Sequence, residues 1–120
     1  MNRRAIGNEA EQRAVQLLER GGYTIVDRNF TCRWGEVDII ATKDELLCFV
    51  EVRMRSTAAW GDPSLTVTGV KQRKVVKAAL HYMLRAGVSK HMMRFDVISV
   101  VGRGQDALLE HIPAAFDAGF

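Results

Sequence analysis

Apolar residues recur along the chain with two different periods. Between Arg4 and Gly22, the residues Ala10, Ala14, Leu17 and Leu18 lie three, four or seven apart, which predicts a helix with one apolar face, stopped by Gly21-Gly22. Tyr23 to Phe30 (YTIVDRNF), Gly35 to Thr42 (GEVDIIAT) and Leu46 to Arg55 (LLCFVEVRMR) are rich in β-branched and aromatic residues and predict three strands. Thr42-Lys43-Asp44-Glu45 turns the second strand into the third. Residues 55–68 follow neither period and predict a loop. The helical period returns from Gly69 to Ala86, through Val70, Val76, Ala79, Leu80, Met83 and Leu84, and Gly87 closes it. Arg94 to Val101 (RFDVISVV) predicts a fourth strand and Ala107 to Ile112 a short fifth, leaving residues 113–120 as a loosely ordered tail with Phe116 and Phe120.

This order predicts an α/β fold: one domain over residues 1–120, with a single mixed β-sheet flanked by helices in the order αβββαβ(β). The hairpin strands must be antiparallel, whereas the strand after the second helix follows a crossover and is free to lie parallel to a neighbour. Side chains alternate along a strand, which groups Glu36, Asp38 and Ile40 on one face of the second strand and Val37, Ile39 and Ala41 on the other. On the third strand Leu47, Phe49, Glu51, Arg53 and Arg55 share a face. Whichever way the turn is centred, Asp38 falls directly or diagonally opposite Glu51, within roughly 5–8 Å at Cβ. Two carboxylates that close repel each other and need a positive counterpart. Arg53 is one candidate; a divalent cation is another, since Mg²⁺ takes one or two carboxylates together with water and phosphate oxygens. Alternating charge on a hairpin is most often a solvated outer face, but Ile40, Leu47 and Phe49 flank these charges on the same side and suit the edge of a cleft.

Composition narrows the class. The 120 residues are 48% hydrophobic and 26% charged, which fits one globular domain that buries about two-thirds of its unfolded surface. No apolar run approaches the ~18 residues of a membrane span, and MNRRAIGNEAEQ has no apolar stretch of the kind a secretory signal carries. Two cysteines, Cys32 and Cys48, form neither a CxxC pair nor a disulfide framework, so a reducing, cytoplasmic setting is expected. The net charge is only +3, but its placement is uneven. Val70 to Arg85 holds Lys71, Arg73, Lys74, Lys77 and Arg85 with no acid among them, and Arg3, Arg4 and Arg13 form a second cluster.

The run GEVDIIA at 35–41, followed by FVEVRMR at 49–55, resembles the YraN-like family of uncharacterised bacterial proteins, which has a restriction-endonuclease-like fold related to Holliday-junction resolvases. The likeness spans nearly the whole chain: GNEAE at 7–11 with Leu17-Leu18 and Gly22-Tyr23, Trp60-Gly61 with Lys71-Gln72-Arg73 and Ala78 to Tyr82, and His111-Ile112-Pro113 to Phe116. It implies a nuclease core in which Asp38 and Glu51 are the catalytic, metal-binding carboxylates and Glu9 is a further acid supplied by the first helix. The implied cofactor is Mg²⁺ or Mn²⁺, held by Asp38, Glu51 and a main-chain carbonyl near Val52, with Glu9 acting through water. Arg53 falls where such nucleases carry lysine. Arginine stays charged and cannot act as a base, so its role would be to clamp the scissile phosphate.

The expected function is therefore a metal-dependent phosphodiesterase, an endonuclease directed at junctions or flaps, with DNA ahead of RNA as partner and a homodimer as the assembly that resolvases of this fold adopt. Lys71, Gln72, Arg73, Lys74, Arg55 and Trp60 are the candidate nucleic-acid contacts. Lys71 and Gln72 would meet phosphates or orient water. Trp60 would either stack on an unpaired base or anchor its own loop. Trp34 and Arg33 precede the second strand, a place from which they could approach the backbone of DNA, although Trp34 is expected to pack into the core. Two other functions compete: a non-catalytic nucleic-acid-binding module, and a protein-interaction adaptor of DNA-processing machinery using the apolar tail Ala114 to Phe120. His81, His91 and His111 stand at no metal-ligand spacing and read as structural. No nucleophile elbow, GxGxxG or phosphate-binding loop occurs.

Overall fold

The computed structural model of the protein describes residues 3–55, 67–88 and 92–119. Its elements are α1 (Arg3–Arg20), β1 (Thr24–Cys32), β2 (Gly35–Lys43), β3 (Leu46–Arg55), α2 (Gly69–Ala86), β4 (Met93–Val101), a single 3₁₀ turn (Gly104–Asp106) and β5 (Leu108–Phe116). The five strands form one sheet in the order β1-β2-β3-β4-β5, antiparallel throughout except where β4, returning after α2, lies parallel to β3. The α1 end is closed as its glycines require: Gly22 has φ 91, and the amides of Gly21 and Tyr23 turn back to the carbonyl of Leu18.

The sheet separates two cores. On one face Ala10, Ala14, Val15 and Leu18 of α1 bury Ile39, Cys48, Val50, Ile98 and Val100. On the other, Val75, Ala78, Ala79 and Met83 of α2 bury Val37, Ile40, Leu47, Phe49 and Phe95. β3 alternates cleanly between them, with Leu47 and Phe49 towards α2 and Cys48 and Val50 towards α1. Glu51 therefore continues the α2 face.

The structure corrects the reading at three places. Val37 packs with Ile40 on the α2 side rather than with Ile39, so alternation along β2 gives way there. The break lies where the partner strand carries Asn29 in left-handed backbone (φ 53), between the pairs Arg28↔Ile39 and Phe30↔Val37. The buried stripe of α2 runs through Val75, Ala78, Ala79 and Met83. Val70 and Leu84, predicted to be part of it, are exposed by 56% and 83%. Finally, the tail is built in. β5 runs on to Phe116, whose ring stacks on Phe95 at 5.3 Å, and Ala118 packs against the α2-side core. The physical cause is a buried carboxylate. Asp96 accepts the amide of Ala114 at 3.1 Å at the irregularity where the β4–β5 register shifts, and Arg94 and His111 bond the same carboxylate. Pro113, which has no amide to donate, sits in this edge strand.

Candidate functional site

The site is built where β2 and β3 part. Their ladder runs from Lys43↔Leu46 across a two-residue turn to Ile39↔Val50 and stops there. Amides two residues apart point the same way, so the next donor on that edge of β3 is the N–H of Val52. Asp38 takes it with its side chain, Oδ2 accepting at 2.8 Å. Glu51 lies one residue earlier and is 1% exposed. The Lys71 ammonium, on the first turn of α2, is 3.6 Å from Glu51 Oε2, while Oε1 is buried without a hydrogen-bond partner among the described residues. Thr68 caps α2 by accepting the amide of Lys71 at 3.2 Å, which fixes the turn that delivers that ammonium.

Electrostatically the pair is short of positive charge. Burial pushes the Asp38 carboxyl up to about 6, with Glu11 and Glu36 adding to the rise and the Val52 amide and Lys71 opposing it. Burial pushes Glu51 up to about 8; Asp38 and Glu36 add to it, and Lys71 only partly offsets them. Both shifts favour the protonated forms of the pair. A buried carboxylate with an oxygen unpartnered among the described residues, beside a half-buried one, is a pair of hard oxygen donors of the kind Mg²⁺ or Mn²⁺ takes. Among the described residues no three of His, Cys, Asp and Glu converge on a point, so protein carboxylates could supply two ligands and the rest would have to be water, main chain or substrate.

The predicted residues are distributed unevenly. Asp38, Glu51 and Lys71 come together. Arg53 and Arg55 are half-buried further along β3, on the Glu51 side by alternation. Glu9 lies elsewhere: its Oε1 accepts the amide of Gly104 at 2.7 Å, and the Arg13 guanidinium donates to the Gly104 carbonyl. The helical acid whose charge reaches Asp38 is Glu11, which also pairs with Arg28 at 3.5 Å. Helical phase held that signal, because Glu11, Ala14, Val15 and Leu18 make one i, i+3, i+4, i+7 stripe. Gln72 donates its side-chain amide to the Val67 carbonyl at 2.9 Å, tying down the approach to α2. Lys74 lines a groove with Lys71, whereas Arg73 faces a different hollow beside residues 117–119. Trp60 lies outside the described residues. Trp34, expected in the core, is 45% exposed.

One mixed sheet between two helices, with an Asp and a Glu brought together where the central hairpin opens, defines the class: an α/β domain of restriction-endonuclease-like architecture. The chain belongs to the family described as Uncharacterised protein family UPF0102, which matches residues 10–100. It is 60% identical to the UPF0102 protein of Myxococcus xanthus over 117 residues, 98% of this chain and 93% of that one. It is 42% identical to the UPF0102 protein of Geobacter metallireducens over 120 residues, covering 100% and 98%. It is also 47% identical to the UPF0102 protein GSU0650 of Geobacter sulfurreducens, over 96% of this chain and 91% of the relative. Among the described residues no helix is long and apolar enough to cross a membrane.

Proposed function

We propose that this protein is a divalent-metal-dependent phosphodiesterase acting on nucleic acid, DNA ahead of RNA. The observation that carries the reading is the buried Glu51 carboxylate, one oxygen of which has no hydrogen-bond partner among the described residues, beside Asp38 and 3.6 Å from the Lys71 ammonium. Among the described residues Lys71 stands 3.6 Å from Glu51 Oε2, and burial still raises both carboxyl pKa values in spite of it. Asp38 and Glu51 would hold Mg²⁺ or Mn²⁺, and the chemistry such an ion supplies is Lewis-acid polarisation of the phosphodiester and of the attacking water.

The remaining roles belong to this chain. Val52 N–H holds Asp38 in place. Arg53, which cannot give up its proton, clamps phosphate oxygens. Lys71 Nζ, 3.6 Å from Glu51 Oε2, would take the place near the carboxylates that a strand lysine otherwise fills. The test is cleavage of a labelled four-way junction and a flapped duplex in Mg²⁺, Mn²⁺ or EDTA. Product that needs metal and is lost in Glu51→Gln and Asp38→Asn supports the reading. Binding without cleavage in either metal replaces it with a binding-only module.

A further inference from the structure

Trp34 stands at the β1–β2 turn with 45% of its surface exposed, although tryptophan in a turn usually covers a core. Cations surround it. The Arg33 guanidinium lies over the ring at 4.7 Å from its centroid and the Lys77 ammonium at 5.6 Å, so a base that stacks there displaces one of them towards its own phosphates. On one side the ring borders the groove containing Lys71 and Lys74; on the other it borders an apolar hollow with Leu84, itself 83% exposed. The turn is pressed onto α2: a Cβ at Gly35 would stand 2.8 Å from the Lys74 carbonyl. Lys71 belongs to both places, lining this groove and reaching Glu51 at 3.6 Å.

We infer that Trp34 is a stacking platform for an unpaired base, with Arg33, Lys77, Lys74 and Lys71 on the flanking phosphates, so that the preferred ligand is nucleic acid with a single-stranded segment leading to the carboxylates. The inference deepens the reading of the site as a nucleic-acid phosphodiesterase and rests on it. Charge selects the occupant. Arg33, Lys71 and Lys74 line the groove, Lys77 adds a cation at the Trp34 ring, and Glu36 is the acid on the groove wall, which suits a polyanion. Ring chemistry selects the strand state. A paired base already has both faces stacked within a duplex, whereas an unpaired one offers a free face to tryptophan, and the Leu84 hollow shields its edge from water.

The test measures binding in EDTA, by anisotropy, of labelled oligothymidine, of a base-free oligomer of abasic sites of equal length, and of fully paired duplex. Circular dichroism confirms that each variant is folded. Trp34→Ala is expected to weaken oligothymidine binding about 5- to 150-fold, with duplex binding nearly unchanged and Trp34→Phe restoring most of the loss. Wild type should bind the base-free oligomer no better than Trp34→Ala does. Equal losses on oligothymidine and duplex, no loss on either, or no binding of oligothymidine by wild type would each overturn the inference, the last leaving a protein partner for the exposed ring. Cleavage assays on the same proteins separate the two proposals. Glu51-dependent cleavage with no role for Trp34 removes only the platform; Trp34-dependent binding without cleavage removes only the phosphodiesterase.

Discussion

The chemistry proposed here comes down to two carboxyl groups that hold their protons more tightly in the folded chain than in the unfolded one. Protonation therefore favours the fold. The contribution is complete below the ordinary carboxylate range and is lost as pH rises through about 6 for Asp38 and about 8 for Glu51. Glu11, Glu36 and Lys71 are the charges facing the pair. In urea, the metal-free wild type should lose on the order of 4 kcal/mol between pH 5.5 and 8.5, most of it from Glu51, and Glu51→Gln should lose distinctly less. An equal loss in both proteins would place the titrating groups elsewhere. Asp96 behaves in the opposite sense. Burial alone would raise its pKa, but the bonds from His111, Arg94 and Ala114 together lower it, so its contribution is lost only as pH falls below the usual carboxylate range. Asp96→Ala strands the Arg94 guanidinium and frees the β4–β5 irregularity, and should cost about 3–5 kcal/mol in denaturant unfolding. The nearness of Asp38 and Glu51 was legible in the sequence because a short turn pairs their strands; how Asp38 is held was not, because alternation along β2 gives way beside it and its carboxylate accepts the Val52 amide. The contact of Glu9 with the Gly104 amide was not legible, because it joins α1 to a turn 95 residues further along the chain, whereas the apolar stripe that Glu11 extends was there to be read.

At the level of elements, the site depends on how α2 meets the hairpin. Sequence period gave the bounds of β3 and α2 residue for residue, since both are long and strongly patterned. It did not give the juxtaposition of Lys71 with Glu51, which arises only when α2 packs across the sheet. Trp34 was misplaced for a related reason: a turn aromatic is ordinarily core, and its exposure follows from Gly35 letting the turn sit directly on the Lys74 backbone. Gly35→Ala should push that turn away, destabilise the fold by about 1–3 kcal/mol and red-shift Trp34 emission as the ring leaves Lys77. Unchanged stability and emission would mean the contact gives way without cost. Thr68→Ala removes the α2 cap and should cost about 1 kcal/mol by thermal melting, and it should also weaken metal-dependent cleavage by loosening Lys71.

For the whole molecule, the small net charge of +3 conceals a divided surface. Lys71, Lys74 and Lys77 climb one side of α2 beside Arg33, while the acids Glu11 and Glu36 gather around the carboxylate pair. Oligonucleotide binding should weaken with added salt, and each true phosphate contact among these cations should remove close to 0.7 from the slope of log K against log[salt] for a single strand when mutated to alanine. A slope unaltered by Lys74→Ala would take that residue off the path. Uptake of a divalent cation by Asp38 and Glu51 is read by calorimetry of Mn²⁺ binding at pH 7, in two buffers of different ionisation enthalpy. The account predicts that binding expels a proton, chiefly from Glu51, that affinity rises with pH towards 8, and that Glu51→Gln abolishes both effects. Mn²⁺ binding without proton release, or of equal strength in Glu51→Gln, would contradict it.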